Sequence, residues 1–175
     1  MELNELTNKN LIMLDKEYSS KDQVFDGVAE ALLGQGIIQD KAIFKSALYQ
    51  RESESPTGLE NGIAIPHAKS ETITEPIFAV VRLKQPINNW ESLEQTNQVS
   101  LIFLLAIPQN QTGSTHIELL AQLSRSLMNE KFVMRMKQAS SPEEVLRILS
   151  SEKEQKVFNQ NIQDKGLILG ITACA

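Results

Sequence analysis

His67 and His116 are the only two histidines in the chain, and neither sits in the middle of an apolar stripe. Each falls where an element is expected to begin or end, a placement that favours chemistry over packing. His67 closes the run Gly62-Ile63-Ala64-Ile65-Pro66-His67-Ala68. Pro66 fixes its own φ and biases Ile65 toward extended backbone, so His67 is expected to leave a strand at a defined angle, with small Ala68 leaving room around the ring. A neutral imidazole is a good nucleophile near pH 7, and an N–P bond formed on it keeps a high transfer potential. His116 is expected as the first residue of a helix opened by Thr115-His116-Ile117-Glu118, where unpaired N–H groups and the positive end of the helix dipole suit phosphoryl oxygens. Arg51, at the end of an earlier helix, offers a forked cation to the same oxygens. If the three meet in space, the chemistry is phosphoryl transfer, which demands alignment and charge neutralisation more than acid–base machinery.

Each of these residues also has a plainer role. A histidine in a strand-to-loop corner is often a hydrogen-bonded structural group, a polar residue in a first helical turn needs no task, and an arginine near a helix C-terminus complements the dipole. Glu54, Glu60 and Glu71 read as solvated charges. Cys174, the single cysteine, excludes an intramolecular disulfide and a cysteine-based zinc site, and leaves either a small strand residue or a nucleophile. A zinc hydrolase built on the two histidines would need a third ligand and a general base, and no spacing such as His-Glu-x-x-His provides them. No metal or cofactor is expected.

The elements that must position these groups are legible in outline. Ser20-Lys21-Asp22-Gln23 forms a capping box before Val24, Val28, Ala31 and Leu32 at helical spacing, and Gly34 and Gly36 stop that helix. A second helix starts at Asp40, carries Ile43, Phe44, Ala47 and Leu48, and ends near Arg51 ahead of Ser53-Glu54-Ser55-Pro56. Gly62 to Ile65, Ile77 to Leu83 and Val99 to Ile107 are β-branched apolar runs expected to be strands of a buried sheet, with Gln85 to Asn89 as loop. After His116, the residues Ile117, Leu120, Ala121, Leu127 and Met128 are the expected buried stripe. A short helix over Phe132 to Gln138 follows, and Ser141-Pro142-Glu143-Glu144 opens a last one through Leu149. Residues 151–165 turn polar and read as a linker, and 166–175 resume an apolar strand pattern, as though cut inside a new domain.

Composition bounds the function. The chain has 175 residues, 41% hydrophobic and 22% charged, in the range of a globular protein with one domain over residues 1–150. With 22 acidic against 17 basic side chains the net charge is -5, and no basic block could neutralise a row of phosphates, so nucleic acid is not an expected partner. No apolar run approaches the roughly 20 residues of a membrane span. The first residues lack the pattern of a secretory signal, so a cytoplasmic location is expected.

Three separated motifs now resemble one family: Arg51-Glu52 with Ser55-Pro56-Thr57-Gly58, then Gly62 to Ala68, then Ser114-Thr115-His116-Ile117-Glu118-Leu119-Leu120. In that order they are similar to the enzyme IIA domain of the fructose–mannitol family of the bacterial sugar phosphotransferase system. The resemblance covers roughly residues 1–150. It implies an α/β fold with a mixed β-sheet flanked by helices on both faces, His67 as the phosphorylated histidine, Arg51 and His116 as its assistants, and the phosphocarrier HPr as donor. Gly170-Ile171-Thr172-Ala173-Cys174 resembles the first strand and acceptor cysteine of a fructose-type IIB domain, with Ala175 where the pattern has proline. A IIB cysteine is thus the implied acceptor, a membrane IIC component the indirect partner, and a sugar such as fructose the cargo. The same fold also implies an alternative, a nitrogen-type regulatory domain whose phosphorylation state controls a protein target.

Overall fold

The computed structural model describes residues 2–93, 97–111 and 114–151. The expected acceptor strand at 166–175, with Cys174, and all of the expected linker beyond 151 lie outside the described residues.

Local sequence dictates the first two helices. Ser20 caps α1 (Lys21–Gly34) by accepting from the Gln23 N–H at 3.1 Å. The return half of the expected capping box shifts by one residue: the Gln23 amide oxygen accepts from the N–H and the hydroxyl of Ser19, at 2.8 and 3.2 Å. Val24, Val28 and Leu32 are buried as their spacing requires, and Phe25 and Ala29 widen the stripe. Asp40 caps α2 (Lys41–Glu54) through the Ile43 N–H at 3.0 Å. This helix runs past its expected stop because the true breaker is Pro56, which forces extended backbone on Ser55 and on nothing earlier. Arg51 therefore sits in the last turn with three helical residues after it.

One mixed sheet carries the described strands: β1 (Ile12–Lys16), β2 (Gly58–Leu59), β3 (Ile63–Ala64), β4 (His67–Ser70), β5 (Ile77–Ile87) and β6 (Val99–Pro108). The order is β1-β5-β6-β3-β2, and β4 also pairs with β6. β5 and β6 are antiparallel, β1 runs parallel to β5, and β3 and β4 run parallel to β6. The expected strand from Gly62 to Ile65 is corrected. Asn61 and Gly62 both take positive φ, 63° and 76°, in the tight turn from β2 to β3, and a Cβ on Gly62 would come within 2.9 Å of the Gln98 carbonyl. After β3 the ladder breaks at Pro66, which has no N–H to donate, and resumes as β4 with His67 opposite Leu105. The expected loop at Gln85 to Asn89 is also shortened, since β5 continues to Ile87 after a register shift beyond Arg82.

Three further helices cover the other face: α3 (Thr115–Leu127), α4 (Glu130–Gln138) and α5 (142–151). Successive residues of β5 and β6 alternate between two cores. Ala79, Val81, Ile102 and Leu104 pack with Phe25, Phe44 and Leu48 of the first two helices. Phe78, Val80, Phe103 and Leu105 pack with Leu119, Leu123, Phe132, Met136 and Val145 of the last three. The fold is α/β with helices on both faces of a mixed sheet, as expected. The stripe of α3 is not: Leu119 and Leu123 are buried, whereas Ile117 and Met128 are 59% and 84% exposed. Two residues turn a helix by about 200°, so burying Leu119 points Ile117 to solvent.

Candidate functional site

His67, Arg51 and His116 line one cavity of about 290 Å³ at the end of the sheet. Its polar wall is completed by Gln50, Glu54 and Lys69, and the rest is apolar. The three expected residues thus converge from β4, α2 and α3, which are separate in sequence.

His67 is the first residue of β4 and is half-buried. Its Nδ1 lies 2.9 Å from the Ile65 carbonyl oxygen, and its Nε2 lies 2.9 Å from the Nε–H of Arg51. A carbonyl can only accept and a guanidinium can only donate, so Nδ1 carries the proton and Nε2 presents the lone pair. The strand break makes this possible. Pro66 leaves its carbonyl to accept from the Leu105 N–H at 3.1 Å, and the Ile65 N–H turns to the Thr57 carbonyl at 3.0 Å, which frees the Ile65 carbonyl to reach back to the imidazole. Arg51 is held in turn by its Nη1–H, which donates to the Ser55 carbonyl at 2.8 Å.

Burial pushes the His67 pKa below the ordinary histidine value, and the Arg51 and His116 charges act the same way against the Ile65 hydrogen bond and the Glu52 charge. His67 is therefore neutral at physiological pH, with its Nε2 lone pair accepting from Arg51.

His116 is the second residue of α3, not the first. The helix is entered at Ser114, whose hydroxyl donates to Glu118 at 3.1 Å and caps no backbone N–H, so the expected box on Thr115 does not form. The Nδ1 of His116 is buried and finds no hydrogen-bond partner among the described residues, a cost that a bound anion accepting from it would relieve. No group of three or more metal-ligating side chains converges among the described residues. Sequence reasoning passed over Lys69 and Gln50 on the cavity wall, and treated Glu54 as a solvated charge. The one signal for Lys69 is its position two residues after His67 on a strand, which places both on the same side of β4.

Residues 5–152 match the family described as phosphoenolpyruvate-dependent sugar phosphotransferase system, EIIA 2. The chain is 32% identical over 174 residues, 99% of its length, to the 2-O-alpha-mannosyl-D-glycerate-specific EIIABC component of Escherichia coli (strain K12). It is 33% identical over 181 residues to the fructose-specific EIIABC component of Bacillus subtilis (strain 168), again across 99% of this chain. It spans only 26% and 28% of the lengths of those relatives. Among solved structures, nitrogen regulatory protein IIA-Ntr from Neisseria meningitidis superposes with a TM-score of 0.75 at 30% identity, over 83% of this chain and 97% of that one. No helix among the described residues is long and apolar enough to cross a membrane. The convergence of His67, Arg51 and His116 in one cavity therefore lies in a chain that belongs to the type 2 EIIA family of the sugar phosphotransferase system, a phosphotransferase component.

Proposed function

We propose that His67 is the phosphoryl acceptor, attacking through Nε2, and that Arg51 and His116 stabilise the group in flight. The observation that carries this is the double clamp on the imidazole: Ile65 holds the proton on Nδ1 and Arg51 holds the lone pair of Nε2 toward the cavity wall. The donor is a phosphohistidine of HPr. As its N–P bond breaks, the P–Nε2 bond forms in line, the donor nitrogen recovers its lone pair, and the Nδ1 proton of His67 stays in place, so no base is required. Arg51 occupies the attacking lone pair in the resting state and must release it as phosphorus arrives. That exchange costs about 1 kcal/mol of hydrogen bond and returns more, because the freed guanidinium N–H groups meet a doubly charged oxygen set. His116 offers a second donor from the positive end of α3.

The next acceptor is a IIB cysteine: the Nε2–P bond breaks and a P–S bond forms on the thiolate. Alignments to two EIIABC relatives run over 99% of the chain and so into the 166–175 segment that holds Cys174, which supports a layout of IIA domain over 1–150, linker over 151–165 and the start of a IIB domain. Uptake would then proceed through a membrane IIC partner, from the cytoplasmic side, with fructose or a related sugar as cargo. Incubation with phosphoenolpyruvate, enzyme I and HPr should give an acid-labile phosphoryl adduct on this chain that His67→Ala abolishes; an adduct undiminished in His67→Ala would refute the assignment.

A second reading, a nitrogen-type regulatory domain, is favoured by the 30% identity to IIA-Ntr. It shares His67 and differs in the acceptor. Phosphorylated protein that never passes its group to a fructose-type IIB domain, yet changes its binding of a protein target, would select it.

A further inference from the structure

The two clamps on His67 end in one short loop. Arg51 donates to the Ser55 carbonyl at 2.8 Å, and the Ile65 N–H donates to the Thr57 carbonyl at 3.0 Å, so residues 55–57 hold both neighbours of the imidazole. What holds the loop is Thr57. It is 2% exposed, and its hydroxyl is used twice: it accepts from the Trp90 Nε1–H at 3.3 Å and donates to Oε1 of Glu52. The Glu52 side chain is itself 7% exposed and receives Lys21 Nζ on its other oxygen at 3.0 Å. Lys21 lies 5.0 Å from the centre of the Trp90 ring and also pairs with Glu91.

Thr57, Glu52, Lys21 and Trp90 form a largely buried polar set in which each member is partnered, tied to the surface through the exposed Glu91, an arrangement that rigidifies one geometry. Valine has nearly the shape of threonine and no polar atom to desolvate, so burial alone does not call for a hydroxyl at position 57. Burying the Glu52 carboxylate is likewise expensive without a purpose beyond filling space. Both become intelligible as a support for the site. From Glu52 the connection runs through the Thr57 hydroxyl, across that residue to its carbonyl, to the Ile65 amide, and from the Ile65 carbonyl to the proton on His67 Nδ1.

The geometry points to Thr57 and Glu52 as positioning residues that keep His67 in its Nδ1–H tautomer with Nε2 unprotonated. Neither touches the phosphoryl group; they act through the Thr57 and Ile65 backbone. The effect on transfer rests on His67 being the phosphoryl acceptor, but the effect on the imidazole does not.

The test uses the full chain with 15N-labelled histidine and two readouts, the imidazole nitrogen shifts of His67 and the rate of phosphoryl acceptance from phospho-HPr. The wild type is expected to show a protonated Nδ1 and an unprotonated Nε2. Thr57→Val should move both nitrogens toward averaged shifts and slow acceptance about tenfold, with Thr57→Ser restoring the tautomer and a rate within about twofold of wild type. Glu52→Gln, which keeps shape and stays foldable if the valine variant does not, should shift the tautomer in the same direction with a smaller loss of rate. Wild-type nitrogen shifts in a folded Thr57→Val, or in Glu52→Gln, overturn the proposal. Loss of the tautomer in a chain that never accepts a phosphoryl group on His67 would leave the positioning role standing and refute the acceptor role instead.

Discussion

At the scale of residues, the site depends on one ring having its two nitrogens assigned opposite tasks by partners that admit no exchange. His67 cannot give its proton to Nε2 without facing the Arg51 N–H, and cannot give up its Nδ1 proton without leaving a lone pair against the Ile65 carbonyl. Burial lowers the pKa of this ring below 6.5, the ordinary value. The sign for the proposed transfer follows: protonation of His67 has its midpoint below 6.5, so acceptance from phospho-HPr should fall to half only at a pH below that value. The sign for folding is the same, since the unfolded chain binds the proton more readily; stability contributed by neutral His67 is lost as pH falls from 6.5 through the lowered folded value. Arg51→Gln should raise the His67 pKa by removing a neighbouring charge, move the pH profile upward, and slow transfer about 10²–10³-fold at neutral pH, read by rapid-quench labelling. Arg51→Lys keeps the charge but not the planar Nε–H donor, so it should recover only part of that loss. The candidacy of His67, Arg51 and His116 was legible in residue types and in positions at element ends, whereas their convergence in one cavity came only with the fold. The roles of Glu52 and Thr57 were not, because a threonine hydroxyl and a glutamate look like any surface polar group until burial makes each of their bonds obligatory.

At the scale of elements, the site exists because one strand is interrupted. β3 and β4 are two segments on the same side of β6, and the two residues between them, Ile65 and Pro66, are the ones whose backbone groups orient the imidazole. The approach to that break depends on the turn at Asn61 and Gly62. Gly62→Ala would place a Cβ at positive φ and within 2.9 Å of a backbone oxygen, and should destabilise the protein by about 1–3 kcal/mol in urea titrations. Gly34→Ala, at the end of α1 with nothing within 4 Å, should be neutral or stabilising by up to about 1 kcal/mol and serves as its control. The helix starts at Ser20, Asp40 and Ser141 were legible because a cap is a local hydrogen bond; Ser141 Oγ does accept from the Glu144 N–H at 3.2 Å. The short strands β1, β2 and β4 were passed over because two to five residues carry too little alternation to stand out, and β1 and β4 pair with strands far away in sequence.

At the scale of the whole molecule, the sheet separates two cores and the site lies where elements from both sides meet: α2 from one face, α3 from the other, β4 between them. Among the described residues the core runs from Leu3 to Leu149, so a chain ending at residue 151 is expected to fold and to accept a phosphoryl group on His67 at the rate of the full chain, while losing any onward transfer that depends on Cys174. Circular dichroism melts and phosphorylation by phospho-HPr check this, and a truncated chain that fails to melt cooperatively would show that the tail contributes to the core. By itself the sequence determined the helices with local caps and the apolar runs of the buried sheet, and it pointed to phosphoryl transfer through three motifs that resemble one family and hold two histidines and an arginine. Only the tertiary structure decided which way the ring of His67 faces, which nitrogen holds the proton, and which buried polar groups support it. The physical reason is that caps and periodicity are set by residues within a turn of one another, whereas a tautomer is set by partners that folding brings together from positions 51, 57 and 65.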